Sequence, residues 1–243
     1  TMYFTLASPY PVEGLKSWKP ALGLAGDALK TVLQDAVFRQ RVRDEIAAPS
    51  TFRLFNGEWD KVQVVEVTRP VHARYEQRTV ADIAAQEGRD PLDVMLDLAL
   101  SEDLQTIFTA QLLNSDEEAV GRMLNHPHSL VSLSDAGAHL TFFNDAGFGL
   151  HLLGHWARDL GAMTMTDAVQ RLTSQPARVL GLTDRGLIRE GLAADLLLFD
   201  PAAVGRSPKR RVFDLPGGAA RLTTDATGVH GVWVNGQRVA DQR

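Results

Sequence analysis

The run Ser132-Leu133-Ser134-Asp135-Ala136-Gly137-Ala138-His139 brings a carboxylate, a glycine turn and an imidazole into one short segment. Asp135 follows the apolar stretch Leu130 to Leu133, and a carboxylate held at a strand end can exchange a proton with water or with a leaving group. The plainer alternative is an Asp that caps a turn. His139, four residues further on, is placed to hydrogen-bond that carboxylate or to line a substrate pocket, although a single histidine in a turn is often structural. Ser134 reads as a turn hydroxyl.

Two other histidine pairs invite a metal reading. Asn125-His126-Pro127-His128 imitates a His-x-His ligand pair, but it precedes the expected strand rather than following one, and its central proline fits a turn. His151 and His155 are spaced i, i+4, which puts two imidazoles on one helix face. Leu152, Leu153 and Gly154 lie between them, so the acidic residue of a His-Glu-x-x-His motif is missing and a packed helix is expected. His72 and His230 stand alone.

Composition narrows the chemistry further. Without cysteine there are no disulfides, thiolate zinc sites or cysteine nucleophiles in this chain. A formal charge of −5 offers no global field for nucleic acid or an anionic membrane, and the basic run Lys209-Arg210-Arg211 reads as a solvated loop. No apolar run reaches the ~18 to 20 residues needed to span a bilayer, and the N-terminus lacks a signal pattern. With 44% hydrophobic and 23% charged residues over 243 positions, the expectation is a soluble, cytoplasmic protein with one large domain, or one and a satellite.

The elements that must position these residues can be read in order. Thr1 to Leu6 reads as a strand already in progress, a hint of an upstream segment. Leu29, Val32, Leu33, Ala36, Val37, Val42 and Ile46 mark one or two amphipathic helices over about 28–46. Lys61 to Arg69 reads as a strand, Thr79 opens a short helix, and Asp90-Pro91 sets a cap and a first-turn proline before Leu92 to Leu100. Thr106 to Gln111 is a strand, Ser115 a cap for a helix over 116–124, and Leu130 to Leu133 a second strand, an order that fits a parallel crossover. Further helices are expected over about 149–160, after a Thr166 cap, and from Ser174 to a glycine stop at Gly181. Beyond about residue 184 the chain changes to β: Ala194 to Asp200 is an apolar strand, and Gly231 to Val239 folds around Asn235-Gly236, a dipeptide suited to a type I′ hairpin.

Several separated blocks then acquire a common meaning. Leu172-Thr173-Ser174-Gln175-Pro176-Ala177-Arg178-Val179-Leu180-Gly181-Leu182, Arg185-Gly186-Leu187-Ile188, Ala194-Asp195-Leu196-Leu197-Leu198-Phe199-Asp200 and Val232-Trp233-Val234-Asn235-Gly236 occur in that order. Together the sequence resembles the C-terminal signature of the amidohydrolase superfamily, and within it the D-aminoacylase branch, the N-acyl-D-amino-acid deacylases. The resemblance is close over about 106–240 and looser before. It implies an α/β fold: residues 1–183 as the C-terminal segment of a (β/α)8 TIM-like barrel, with a helical insertion over about 20–105, and 184–243 as part of a small β-sandwich.

The same resemblance implies metal-dependent hydrolysis of a non-peptide C–N amide bond, with an N-acyl-D-amino acid as substrate. In such a barrel the C-terminal strand ends carry the active site. Asp135, ending the eighth strand, would then receive a proton from zinc-bound water and pass it to the leaving amine, and could itself be a weak or second-site metal ligand. His139 would contact substrate. The family's other ligands would fall upstream of Thr1, so the chain alone is expected to be inactive and to need an upstream segment or self-association. Arg158, Arg74 and residues of the upstream half are the candidates to meet the substrate carboxylate. The rival expectations are a metal-free scaffold or interaction module of the same family, and a hydrolase of cyclic amides such as hydantoins or dihydropyrimidines.

Overall fold

The opening strand forms at Met2–Phe4 (β1), the second at Val62–Glu66 (β2) and the third at Ile107–Ala110 (β3). The structure is a computed structural model that describes every residue except Thr1, Thr51, Ser132, Leu133, Asp135, Gln242 and Arg243, and at Asp241 the backbone only. β3 is the central strand of a β1-β3-β2 sheet, antiparallel to both neighbours. Phe4 and Phe108 stack across it at 5.5 Å.

The amphipathic stretch near residue 30 forms two helices, Gly26–Gln34 (α1) and Ala36–Ala47 (α2). Asp35 separates them because its extended backbone ends one helix while its carboxylate accepts the Phe38 N–H at 2.8 Å to start the next. Val80–Glu87 (α3) is capped by Thr79, and Pro91–Ser101 (α4) by Asp90 with Pro91 in its first turn. Leu29, Leu33, Phe38, Val42, Leu92, Met95 and Leu96 turn inward from these helices against Val62, Val64 and Phe108 of the sheet.

The chain divides into two compact units, residues 1–115 and 116–243. In the second, Glu117–Asn125 (α5), Phe148–His151 (α6), Met165–Leu172 (α7) and Ser174–Val179 (α8) precede the tail strands. α6 runs directly into a π-helical segment, Leu152–Asp159, whose wider turns appear in the Leu160 N–H to His155 C=O bond at 2.9 Å. Leu152, Leu153, Trp156, Met163, Ala168 and Val204 form this unit's core. α8 ends as the sequence indicates: Gly181 takes φ +71°, and the Leu182 N–H reaches back to Ala177 C=O at 2.8 Å.

The tail strands are Leu196–Phe199 (β4), Gly205–Arg206 (β5), Arg210–Val212 (β6), Arg221–Thr223 (β7), Ala226–Thr227 (β8), Val229–Val234 (β9) and Gln237–Asp241 (β10). They make one three-stranded sheet, β10-β9-β4, and the two-stranded ladders β5-β8 and β6-β7. Asn235 and Gly236 sit at φ +50° and +79° between β9 and β10, the positive pair that a type I′ turn requires.

Four expectations need correction. The helix α5 is capped by Asp116, which accepts the Ala119 N–H at 2.9 Å, while Ser115 instead accepts from the Lys61 ammonium. α7 is capped by Thr164 rather than Thr166. No strand forms at Leu130 and Val131, and Ser132 and Leu133 lie outside the described residues. There the Gln175 amide binds the Ser129 carbonyl at 3.1 Å and Val131 packs on the unit's core. Among the described residues no parallel crossover from β3 forms: β1 and β2 occupy both edges of β3, and every strand pair there is antiparallel.

Candidate functional site

Asp135 itself lies outside the described residues, whereas Ser134 and the chain from Ala136 onward lie within them. Ser134 accepts the Ala136 N–H at 3.1 Å, the turn role expected of its hydroxyl. Beyond the turn the chain is anchored to β7: the Leu222 N–H donates to Leu140 C=O at 2.9 Å, and the Asn144 amide donates to Leu222 C=O at 3.0 Å. Asn144 is buried, which makes these bonds part of the core of the second unit rather than surface decoration. Asp145 pairs with the Lys209 ammonium at 2.7 Å, and Lys209 lies 5.6 Å from the Phe143 ring centroid.

Lys209 corrects one more reading of the sequence. Its side chain is 8% exposed, not a solvated loop cation. Burial pushes its pKa down against the pull of Asp145. Arg210 does face solvent, paired with Asp225 at 3.1 Å.

His139 adopts φ +52° and is exposed, its ring stacked on Phe142 at 4.9 Å. Its carbonyl accepts the N–H groups of Phe142 and Phe143, both at 3.0 Å, so its backbone shapes the turn after Asp135. His126 and His128 are exposed and 5.5 Å apart at the end of α5. His151 and His155 lie on the helix-to-π segment, with His155 Nε2 2.7 Å from Glu117. Of the two candidate cations, Arg158 pairs with Asp159 and donates to Val204 C=O at 2.6 Å, and Arg74 donates to the Tyr75 hydroxyl at 2.8 Å.

The first unit holds a polar centre that no sequence motif marks. Glu102 is buried at the end of α4, and its carboxylate accepts the N–H and O–H of Thr68, the Arg69 N–H and His72 Nδ1. Burial alone would raise its pKa, but the bonds from Thr68, His72 and the Thr68 and Arg69 backbone outweigh it and hold the carboxyl down to about 2. An ionised carboxylate only accepts, so the hydrogen between the pair resides on His72 Nδ1. His72 belongs to a 3-10 turn, Pro70–Tyr75, and its ring forms part of a cavity wall of about 220 Å³ with Tyr75, Glu87, Arg89 and Asp97.

The amidohydrolase resemblance implies zinc, which must be tested on the residues present. Among the described residues, no group of three His, Asp or Glu side chains is arranged to hold a metal ion. Among them, too, no helix is long and apolar enough to cross a membrane.

Comparison with known proteins gives these features a context. D-aminoacylase of Alcaligenes xylosoxydans xylosoxydans is 32% identical over 164 residues, covering 67% of this chain and 30% of that protein. The N-acyl-D-aspartate deacylase of the same organism is 31% identical over 162 residues, covering 63% and 30%. Among solved structures, a D-aminoacylase crystal structure matches at 28% identity and TM-score 0.41, over 74% of this chain and 34% of that one. An N-acyl-D-glutamate deacylase from Bordetella bronchiseptica, solved with zinc and a phosphonate inhibitor, matches at 30% identity and TM-score 0.40, over 76% and 37%. The chain thus spans about a third of the length of these relatives. The amidohydrolase family model matches residues 32–240, most of the first unit and nearly all of the second, and the chain belongs to the amidohydrolase family.

Proposed function

We propose that this chain contributes to an enzyme that hydrolyses the amide bond of an N-acyl-D-amino acid, releasing a carboxylate and a D-amino acid. The observation that carries the reading is the family match over residues 32–240, joined by relatives at 29–32% identity whose names are D-aminoacylase, N-acyl-D-aspartate deacylase and N-acyl-D-glutamate deacylase. Because the chain spans about a third of their length, the activity is assigned to a longer protein or to an assembly that supplies the rest, whether an upstream segment or further copies. In that assembly residues 1–183 would belong to a (β/α)8 barrel with its helical insertion, and 184–243 to a β-sandwich.

Within this reading Asp135 is the general acid and base. It takes a proton from the attacking water and returns it to the leaving amine, a role that a carboxylate fills near neutrality when its surroundings tune it. His139, exposed on the turn four residues later, would contact the substrate. Zinc is the metal expected of the family; since the described residues offer no three-ligand set, its ligands would come chiefly from outside this chain, with Asp135 at most one of them.

The test is a substrate panel. N-acyl-D-amino acids and cyclic amides of the hydantoin and dihydropyrimidine type are offered to this chain alone and to the chain joined to a segment completing the relatives' length, with bound metal measured in each. The expected result is D-specific deacylation and bound zinc in the longer form, abolished by Asp135→Asn. Turnover of cyclic amides alone would change the substrate class. A longer form that is folded, metal-free and inactive would make the protein a scaffold.

A further inference from the structure

The turn at His139 is held from outside itself. His139 keeps φ +52°, a left-handed conformation that costs a residue with a Cβ and persists only where neighbouring contacts impose it. The Phe142 and Phe143 N–H groups hold the His139 carbonyl, both at 3.0 Å, which closes the turn but does not place it on the rest of the unit. Placement comes from the ladder β6-β7. Leu222, opposite Arg211 in that ladder, binds Leu140 C=O through its N–H and the Asn144 amide through its carbonyl. Lys209, the residue before β6, reaches Asp145 at 2.7 Å. Residues 139–145 are thus gripped at 140, 144 and 145 by one two-stranded ladder and the residue that leads into it.

The grip at Asp145 differs in kind from the other two. The Lys209 side chain is buried, and an ion pair in such a place adds little net stability over apolar side chains of similar size. What it adds is direction, because an ammonium and a carboxylate at hydrogen-bond distance admit few arrangements. Arg206, another cation beside Asp145, stands 3.7 Å away, beyond hydrogen-bond distance, and does not substitute for this bond. Lys209 also lies 5.6 Å from the ring centroid of Phe143, one of the two residues that close the turn. One ammonium therefore lies against both the turn and its anchor.

We propose, on the deacylase reading of Asp135 and His139, that Lys209 is a positioning residue for amide hydrolysis: through Asp145 and Phe143 it fixes the turn 139–145, which begins four residues after Asp135 and carries the His139 ring.

The experiment uses the chain joined to a segment completing the relatives' length. The parent is compared with Lys209→Met/Asp145→Leu, in which an apolar pair replaces the ionic one, and with Lys209→Arg. If Lys209 only stabilised the fold, the folded apolar pair would be as active as the parent. Instead kcat for an N-acyl-D-amino acid is expected to fall about 100-fold, the order that a misplacement of about 1 Å costs, and to fall by more than KM rises. Lys209→Arg keeps a charged donor for Asp145 and is expected to regain about tenfold of that loss. In amide hydrogen exchange the Phe142 and Phe143 N–H groups should exchange about tenfold faster in the apolar pair, with the Leu182 N–H of the α8 cap unchanged.

An active parent whose folded apolar pair keeps its kcat, or shows unchanged exchange at Phe142 and Phe143, overturns the proposal and leaves the deacylase reading standing. A parent inactive on N-acyl-D-amino acids overturns the deacylase reading, and this proposal with it. Should the apolar pair fail to fold, Lys209→Gln takes its place under the same criteria; if that variant fails to fold as well, Lys209 is a determinant of the fold and the proposal is overturned.

Discussion

The imidazoles of His151 and His155 lie face to face, 4.7 Å between ring centroids and 6° from parallel. His155 reaches Glu117 at 2.7 Å, while His151 is half-buried, and its burial, then Arg206 and His155, lower its pKa from 6.5 to about 4 against the opposing pull of Asp145 and Glu117. Between those two values the unfolded chain binds a proton that the folded chain refuses. Stability is therefore complete above about 6.5 and is lost as pH falls toward 4. Denaturant unfolding near pH 7 and near pH 5 should differ by at most about 2 kcal/mol from this group. His151→Asn should flatten that slope; an unchanged slope in the variant would remove His151 as its source.

Glu102 acts in a different window. Its carboxyl is lowered from 4.5 to about 2, so its contribution is present above 4.5 and disappears as pH falls through the folded value. Glu102→Gln should cost about 2–4 kcal/mol at neutral pH, because the charge is lost and, with the amide oxygen kept for the Thr68 and Arg69 N–H donors, the amide NH2 is turned toward the His72 Nδ1 hydrogen that the carboxylate accepts. The variant should also lose the acid-side slope below pH 4.5. Melting curves of the variant and the unaltered chain at neutral and acid pH measure both effects.

Gly154 lies inside the π-helical segment, where a glycine costs about 1 kcal/mol of helix propensity relative to alanine. A Cβ there would stand 2.5 Å from the Val204 carbonyl oxygen and 3.2 Å from the Gly205 Cα. Both are backbone atoms that cannot swing aside. The clash outweighs the propensity gain, and Gly154→Ala should destabilise by about 1–3 kcal/mol. A variant as stable as the parent in urea would show that β5 can retreat without loss.

What the sequence displays depends on the reach of the interaction. Asp90, Thr79, Gly181 and the Asn235-Gly236 turn act on backbone within a few residues, and each stands where its local chemistry indicates. The antiparallel partners of β3 come from more than a hundred residues upstream at β1 and some forty at β2, and no periodicity carries that pairing. Asp135 is singled out by sequence blocks alone and lies outside the described residues. His72 is not, because Pro70-Val71-His72-Ala73 carries no motif; its meaning comes from Glu102, thirty residues on. A charged residue soon after the buried pair Leu98 and Ala99 is the available signal, since such a carboxylate needs partners.

Arg39 ties three helices together with one side chain. Its Nε donates to Leu33 C=O at 2.8 Å, a carbonyl left open at the end of α1, and its two terminal nitrogens reach Asp93 at 2.9 Å and Asp97 at 2.6 Å on α4. The guanidinium is 13% exposed, so these bonds are worth more than those of a solvated ion pair. Arg39→Ala leaves Asp93 to Arg43 and Asp97 to Arg89 but leaves the Leu33 carbonyl unsatisfied, and should cost about 2–3 kcal/mol. Arg39→Lys keeps the charge but lacks a fork able to serve three acceptors, and should recover less than half of that loss. Recovery of full stability by lysine would mean that charge alone, not the planar fork, joins α1 and α2 to α4.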